Sequence, residues 1–209
     1  MVLALQGSLL DQGPVPTVAG FTDALHRNEL SAGAWIEHLP GWILGSDHVF
    51  QSLVNEVRWR RESRQMYDRV VKVPRLVAWY AVHELTPFPI LLEAAAALSD
   101  HYGAETGEPF ASAGMCLYRD GRDSVAWHGD TIGRGATTDT TVAIVSFGSP
   151  RTLRLRPRAG GPGRNYTLGH GDLFVMGGSC QRTWEHSVPK TATAVGPRVS
   201  VQYRLAGVA

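Results

Sequence analysis

Two segments in the first half of the chain have the apolar spacing of amphipathic helices. In residues 46–57 the apolar positions follow i, i+3 and i+4 spacing, and Ser46 can cap the start of this helix. Residues 88–100 carry a comparable apolar stripe and are followed by Gly103, a residue typical of helix ends. The pattern therefore predicts two helices, each of which packs one face on a core.

From about residue 113 the pattern changes to short β-rich segments separated by turn residues. Clusters such as Asp120-Gly121 and the glycines at 160–163 provide the turn signals. The predicted strands are 115–118, 125–128, 141–147, 152–155, 173–176 and 199–203. Helices followed by strands at this density predict an α+β fold, namely a double-stranded β-helix, or jelly roll, with supporting N-terminal helices.

The length of 209 residues suits one domain with a real core and is too short for two large ones. We predict a single domain over residues 1–209. Within it, residues 1–20 form an extended arm and residues 113–205 form the jelly-roll core.

The composition, the N-terminal pattern and the cysteines together predict the cellular compartment of the protein. The chain has 44% apolar and 19% charged residues and no apolar stretch that approaches the length of a bilayer span. Its N-terminus lacks the basic start and sustained apolar run of a secretory signal. Cys116 and Cys180 have no zinc-site spacing and suit a reducing compartment. We therefore expect a cytoplasmic, monomeric protein that does not bind membranes.

A formal charge of +1 gives no global attraction for a polyanion, so nucleic-acid binding requires a local basic surface. Arg154, Arg156 and Arg158 alternate with Leu153 and Leu155, so on a strand the arginines share one face. This face is either a stripe that contacts phosphates or an ordinary solvated strand face.

The strongest candidate for a metal site is His128-Gly-Asp130, followed further along the chain by His186. A His-x-Asp on a strand places both side chains on one face, and a distant histidine can complete the set. Two histidines and one carboxylate form the facial triad that leaves coordination positions open on iron(II). In a chain with eight histidines, a His-x-Asp alone is weak support for a metal site.

Arg198 and Arg204 lie on the predicted terminal strand at an even spacing, so both side chains can enter the same side of a barrel. A buried guanidinium is costly unless it meets an anion, and its planar fork suits a carboxylate. The pair is therefore either a carboxylate site or a pair of ordinary surface arginines.

Several motifs together resemble one known family. They are the segments 74–80, 117–130, 145–148, 171–190 and 198–204, which stand in the order that the family has them. In these motifs the chain is similar to the AlkB family of iron(II)- and 2-oxoglutarate-dependent dioxygenases, over a stretch from Val73 to Arg204. The stretch 171–190 is the most specific of them.

The resemblance implies that His128, Asp130 and His186 are the iron ligands. It implies that Arg204 either supports the metal-side carboxylate of 2-oxoglutarate or holds Asp130 in place. The implied cofactors are iron(II), 2-oxoglutarate as co-substrate, and dioxygen.

The resemblance also implies a site for the distal end of 2-oxoglutarate. Arg198 would pair with the distal carboxylate, and Tyr118 would donate a hydrogen bond to the same molecule. Many relatives have asparagine where this chain has Cys116 and Ser200, and threonine at Gln202. Ser200 can still donate a hydrogen bond to a carboxylate, whereas a thiol does so only weakly.

The substrate residues implied by the resemblance are aromatic and basic. Trp79 and Tyr80 match the region that stacks on a flipped target base, although both residues also suit a core. Arg154 and Arg156 are the predicted contacts to nucleic acid. Several DNA-repair members have acidic residues after the His-x-Asp, whereas residues 131–134 here contain none.

The implied function is the oxidative dealkylation of N-alkylated bases in DNA, with release of succinate, carbon dioxide and an aldehyde. The missing acidic residues leave two alternatives with the same chemistry: action on RNA or tRNA, and hydroxylation of a protein or small molecule. A non-enzymatic binding module is the least favoured hypothesis, because the chain retains three ligand residues and both arginines.

Overall fold

The computed structural model describes residues 15–21, 25–66 and 69–208, with the side chains of residues 64–66 and 69–72 left aside. Most of the predicted arm at residues 1–20 lies outside the described residues. The strands are β1 (Thr17–Val18), β2 (Arg27–Glu29), β3 (Ala34–Leu39), β4 (Ile43–Leu44), β5 (Arg60–Met66), β6 (Arg69–Ala81), β7 (Phe110–Tyr118), β8 (Val125–His128), β9 (Val142–Gly148), β10 (Arg151–Pro157), β11 (Arg164–Leu168), β12 (Asp172–Gly178), β13 (Trp184–Val188) and β14 (Arg198–Leu205). The helices are α1 (Ser46–Glu56), α2 (Pro89–Thr106) and the single turn α3 (Cys180–Thr183).

Two antiparallel sheets form the framework. The larger sheet has the strand order β2-β3-β12-β9-β14-β7-β6-β5, and the smaller has the order β11-β10-β13-β8. A separate short pair joins β1 to β4. Two packed antiparallel sheets with helices on one side confirm the predicted α+β jelly-roll fold.

The two faces of the larger sheet have different chemistry. On β14, the buried residues Val199, Val201 and Tyr203 belong to the apolar core that α1 and α2 complete. The alternate residues of the same strand, from Arg198 to Arg204, line a pocket on the opposite face. Alternation along one strand therefore separates the structural core from a polar pocket beneath the smaller sheet.

Both predicted helices exist, with one error in detail. Ser46 is the first residue of α1 rather than its cap, and Gly45 precedes it in the left-handed conformation (φ 64°). The Ser46 hydroxyl instead donates a 2.5 Å hydrogen bond to the Ile43 carbonyl oxygen, so the predicted capping role is wrong. In the part of the chain that the structure describes, no helix is long and apolar enough to span a membrane.

Helix α2 extends beyond the predicted end. It continues through Gly103 to Thr106 because Tyr102 and the preceding apolar residues stay buried against the large sheet. The helix ends at Gly107, whose positive φ of 69° is the conformation that glycine adopts most readily.

The sheet framework also begins earlier than predicted. Strands β3, β5 and β6 precede residue 113 but belong to the large sheet, so this sheet is wider than the predicted core at residues 113–205. Strand β6 pairs with β7, and β7 pairs with β14, which carries the predicted arginines. Of these early strands, β6 contributes Arg75 to the pocket wall.

Candidate metal centre

The structure brings the three predicted ligands together. His128 ends β8, His186 lies directly opposite it on β13, and Asp130 follows two residues after His128. Their potential ligand atoms all lie within 4.8 Å of one another. Two imidazoles and one carboxylate in this arrangement suit iron(II) with coordination positions left open.

A hydrogen bond to the backbone of Ala126 fixes the orientation of the His128 ring. Its Nδ1 lies 2.9 Å from the Ala126 carbonyl oxygen, which can only accept, so Nδ1 carries the proton and donates. The unprotonated Nε2 then faces Asp130 Oδ1 at 3.9 Å. A hydrogen bond at the far nitrogen is how proteins orient a histidine ligand and raise its basicity.

Asp130 is buried and held on two sides. Arg204 Nε donates a 2.7 Å hydrogen bond to Oδ2, and the Asp130 backbone N–H donates to Gln181 Oε1 at 2.9 Å. Burial alone would raise the pKa of Asp130, but the charge and hydrogen bond of Arg204, with help from His186, hold this pKa at about 2. The carboxylate is therefore ionised at neutral pH, as a metal ligand must be.

His186 is neutral in the folded protein. Burial and then the neighbouring His128 lower the pKa of His186 to about 3, and the two ring centroids lie 4.2 Å apart. Because the imidazole is unprotonated at neutral pH, a nitrogen lone pair is available to a metal.

Gly129, between the ligand residues His128 and Asp130, lies close to the backbone of Gln181. A Cβ at this position would lie 2.2 Å from the Gln181 carbonyl oxygen, which is backbone that cannot move aside. The segment between the two ligand residues therefore accepts no side chain.

The deeper end of the same pocket fits a carboxylate. Arg198 is only 1% exposed, and its Nε donates a 2.9 Å hydrogen bond to Ser146 Oγ. Its Nη1 is buried and has no hydrogen-bond partner among the described residues. A buried unpaired guanidinium nitrogen is costly, so an anion that enters here would be held strongly.

Tyr118 lies beside this arginine, as predicted. It pairs with Arg198 across β7 and β14, and the guanidinium carbon lies 5.3 Å from the centre of the ring. Burial raises the pKa of Tyr118, so its hydroxyl stays protonated and can donate. Ser200 also lines the pocket, but its Oγ already accepts a 2.6 Å hydrogen bond from Gln202 Nε2.

The two predicted base-stacking residues face opposite ways. Trp79 pairs with Gly114 on the pocket face of the large sheet and is 62% exposed. Tyr80 pairs with Ala113 on the helix face and packs edge-on against Phe88. The substrate role predicted for Tyr80 therefore has to be corrected, because alternation along β6 packs its ring against the structural core, on the face opposite the pocket.

The arginine stripe lies outside the pocket. Leu153 lines the pocket, so Arg154 and Arg156 project from the outer face of β10, as alternation predicts. Arg156 Nη2 and Arg158 Nη1 lie 2.8 and 3.0 Å from the carboxylate of Glu185. Glu185 thus contacts two of the three arginines and offsets one of their three charges, which weakens the predicted phosphate contact at Arg156. Arg154 stays a prediction.

Three polar residues in or beside the pocket were not predicted as site residues from the sequence. Gln181 holds the backbone of Asp130, while Arg75 and Gln202 line the pocket wall. Arg75 lies within the motif 74–80, four residues before Trp79 on β6, so the two side chains point to the same face of the strand. A correct prediction of β6 would therefore have placed Arg75 on the pocket face.

Comparison with known proteins agrees with this geometry. Residues 46–205 match the 2OG-Fe(II) oxygenase superfamily. The chain is 32% identical to human alpha-ketoglutarate-dependent dioxygenase alkB homolog 3, over 76% of this chain and 61% of that protein. It is 30% identical to DNA oxidative demethylase ALKBH2 of Arabidopsis thaliana, over 75% and 60% of the two chains. It is also 30% identical to the uncharacterized protein R406 of Acanthamoeba polyphaga mimivirus, over 76% and 88%.

The chain thus spans about three fifths of the length of the human and Arabidopsis relatives. The superfamily implies iron(II), 2-oxoglutarate and dioxygen as cofactor and co-substrates, and the donor set and the unpaired arginine described above fit the first two. The match to the superfamily and the similarity to these relatives confirm the predicted resemblance: the chain belongs to the 2OG-Fe(II) oxygenase superfamily and, within it, to the AlkB family.

Proposed function

We propose that this protein uses iron(II), 2-oxoglutarate and dioxygen to remove alkyl groups from N-alkylated bases in DNA, with release of succinate, carbon dioxide and an aldehyde. The observation that carries the proposal is one pocket that contains both a cluster of His128, Asp130 and His186 and the unpaired buried nitrogen of Arg198. A metal that keeps open positions and a co-substrate with two carboxylates match these two ends.

When bound, the metal and its co-substrate would supply the oxidising chemistry, and the protein contributes position and exclusion of water. Asp130 and the two histidines would hold the metal, with Arg204 fixing the carboxylate. Arg198 and Tyr118 would hold the distal carboxylate of 2-oxoglutarate. Apolar side chains also line the pocket and disfavour water there; they are Val125, Val142, Ile144, Leu153 and Val188.

Two surface features support nucleic acid as the substrate. The ring of Trp79 is exposed on the pocket face, where it can stack on a base that has left its helix. Arg58, Arg60 and Arg61 are exposed in or just before β5, the edge strand of the large sheet, which pairs with β6 of the pocket wall. A local cluster of this kind can contact phosphates even though the whole chain is nearly neutral. The name of the Arabidopsis relative, a DNA oxidative demethylase, points the same way.

A second candidate has the same chemistry and another substrate, such as RNA, a protein side chain or a small molecule. The segment after Asp130 favours it, because Thr131 and Ile132 carry no charge and Ile132 is 66% exposed. A cationic alkylated base would meet no carboxylate from this segment.

The test is mass spectrometry of single-stranded oligonucleotides that contain 1-methyladenine or 3-methylcytosine. The protein is loaded with iron(II) and 2-oxoglutarate without oxygen, and oxygen is then added. We expect the oligonucleotide to lose one CH2 and an equivalent amount of succinate to form. His128→Ala should abolish both products, whereas His48→Ala, which changes an exposed histidine of α1, should abolish neither.

Succinate formation without the mass loss would assign the protein to the second candidate. Absence of both products in the wild type, with iron(II) and 2-oxoglutarate present, would contradict the proposed function altogether.

A further inference from the structure

Arg75 is a third arginine that lines the pocket, besides Arg198 and Arg204. It lies on β6, one position before Leu76, which pairs with Leu117 on β7. The same register places Arg75 beside Tyr118, and Tyr118 pairs on its other side with Arg198 on β14. The two arginines therefore flank the same tyrosine on the pocket face of the sheet.

The hydrogen bonds of Arg75 go to neutral acceptors and do not compensate its positive charge. Its Nε donates to Cys116 Sγ at 3.3 Å, and its Nη1 donates to the Ser124 carbonyl oxygen at 3.3 Å. A neutral thiol is a weak acceptor, and both contacts are long. Within the part of the chain that the structure describes, no carboxylate lies within ion-pair distance of Arg75, although the residue is half-buried.

Of the three arginines that line the pocket, Arg75 and Arg198 are the two without a carboxylate partner in the described residues. Arg204 is matched by Asp130 at 2.7 Å. Arg75 and Arg198 have no matching carboxylate in the described residues, and Arg198 Nη1 has no hydrogen-bond partner there. Two half-satisfied cations on either side of one protonated tyrosine form a stronger anion site than a single arginine does.

We infer that Arg75 binds the distal carboxylate of 2-oxoglutarate together with Arg198. The inference rests on the proposed use of 2-oxoglutarate. The small side chain of Cys116 leaves Arg75 free to lie over it and reach into the pocket. Arg75 thereby makes the site selective for a co-substrate with a charged far end.

The test compares two ligands that differ only at that end. 2-Oxopentanoate has the carbon chain of 2-oxoglutarate but a methyl group in place of the distal carboxylate. Binding of each ligand to the iron(II)-loaded protein is measured by anaerobic isothermal titration calorimetry. We expect Arg75→Gln to weaken 2-oxoglutarate about tenfold, the loss of one charge-assisted contact, and to leave 2-oxopentanoate unchanged.

Two further variants make the result specific. Arg75→Lys keeps the charge but not the fork, so its affinity for 2-oxoglutarate should lie between those of wild type and Arg75→Gln. Arg164→Gln removes an exposed arginine from β11 and should change neither affinity. Circular dichroism confirms that each variant is folded before titration.

Equal weakening of both ligands in Arg75→Gln and Arg75→Lys would show a purely structural role and overturn the inference. Unchanged affinity for 2-oxoglutarate in Arg75→Gln would overturn it too, while leaving the proposed function intact. Failure of the wild type to bind 2-oxoglutarate at all would overturn the proposed function and, with it, this inference.

Discussion

Arg204 Nε donates a 2.7 Å hydrogen bond to Asp130 Oδ2, and this contact orients the candidate metal centre. It occupies one carboxylate oxygen and leaves the other, Oδ1, facing His128 Nε2 at 3.9 Å. The arginine comes from β14 of the large sheet, whereas the carboxylate follows β8 of the small sheet. The contact therefore ties the two sheets together at the place where the metal would bind.

Arg204→Gln should weaken metal binding while the ligands themselves stay intact. Partners that orient a ligand typically contribute 10- to 100-fold in metal affinity, and we expect a loss of roughly that size. Equilibrium dialysis with iron(II) or manganese(II) measures it. The control is Arg122→Gln, which breaks an exposed pair with Asp120 away from the pocket. Equal metal affinity in wild type and Arg204→Gln would contradict the orienting role.

Gly114→Ala should reproduce part of that defect. A Cβ at this position would lie 2.6 Å from Arg204 Nη1, the mobile end of a side chain, so the fold survives but the guanidinium must move. We expect weaker metal binding with little change in melting temperature. Gly103→Ala, within α2 and with no atom within 4 Å of the new Cβ, should instead leave metal binding unchanged and add up to about 1 kcal/mol of stability. If both variants bind metal like the wild type, Gly114 is not a requirement of the site.

The metal-free protein should lose stability on mild acidification because of His186. The pKa of this histidine is about 3 in the folded protein, below its ordinary value of 6.5, so the unfolded chain binds the extra proton first. The free energy of unfolding is therefore not reduced by His186 above about pH 6.5. It decreases progressively as the pH falls from there toward 3. Urea unfolding in the presence of a chelator should show a flatter pH dependence for His186→Asn than for wild type. An identical slope would contradict the pKa assignment.

The two cysteines should react very differently with iodoacetamide. Burial raises the pKa of Cys180 to about 12, so this thiol is both covered and protonated at neutral pH. Cys116 lines the pocket and is only half-buried. Peptide mass spectrometry of the native protein should find the label on Cys116 alone, and iron(II) with 2-oxoglutarate should slow its labelling. Labelling of Cys116 at a rate independent of 2-oxoglutarate would place the co-substrate elsewhere.

Neighbouring residues on β6 should give opposite phenotypes. Trp79→Ala removes an exposed ring, so it should lower activity on an alkylated oligonucleotide without changing the free energy of unfolding. Tyr80→Ala removes a ring packed against Phe88, and we expect it to destabilise the fold by about 2 kcal/mol, less than for a fully buried aromatic residue. Denaturant unfolding and oligonucleotide turnover are measured on both variants. Loss of stability in Trp79→Ala would contradict its assignment to the pocket face.

Runs of β-forming residues between turn residues were sufficient to predict several strands, including β9, which is buried on both faces. Strand β8 was predicted with its observed bounds, Val125–His128. Strand β13 was not predicted, because its inward residue between Trp184 and Val188 is His186, a candidate ligand rather than an apolar residue. Its hydrophobic alternation is interrupted by the very residue that makes it functional.

Other features depend on contacts between distant segments. Strand β3 is buried along almost its whole length and shows no alternation, and its Glu37 is satisfied by Tyr102 and Arg27. Likewise, the position of Arg75 follows only from the register of β6 with β7. Spacing along the sequence does not give that register.

The most direct test of the metal and co-substrate site is titration of 2-oxoglutarate into the protein, without oxygen, in the presence and absence of iron(II). We expect binding of one molecule per chain that requires the metal, is lost in the double variant His128→Ala/His186→Ala, and is strongly weakened in Arg198→Gln. Binding that persists without iron(II), or that neither substitution affects, would contradict the assignment of this pocket as the metal and co-substrate site.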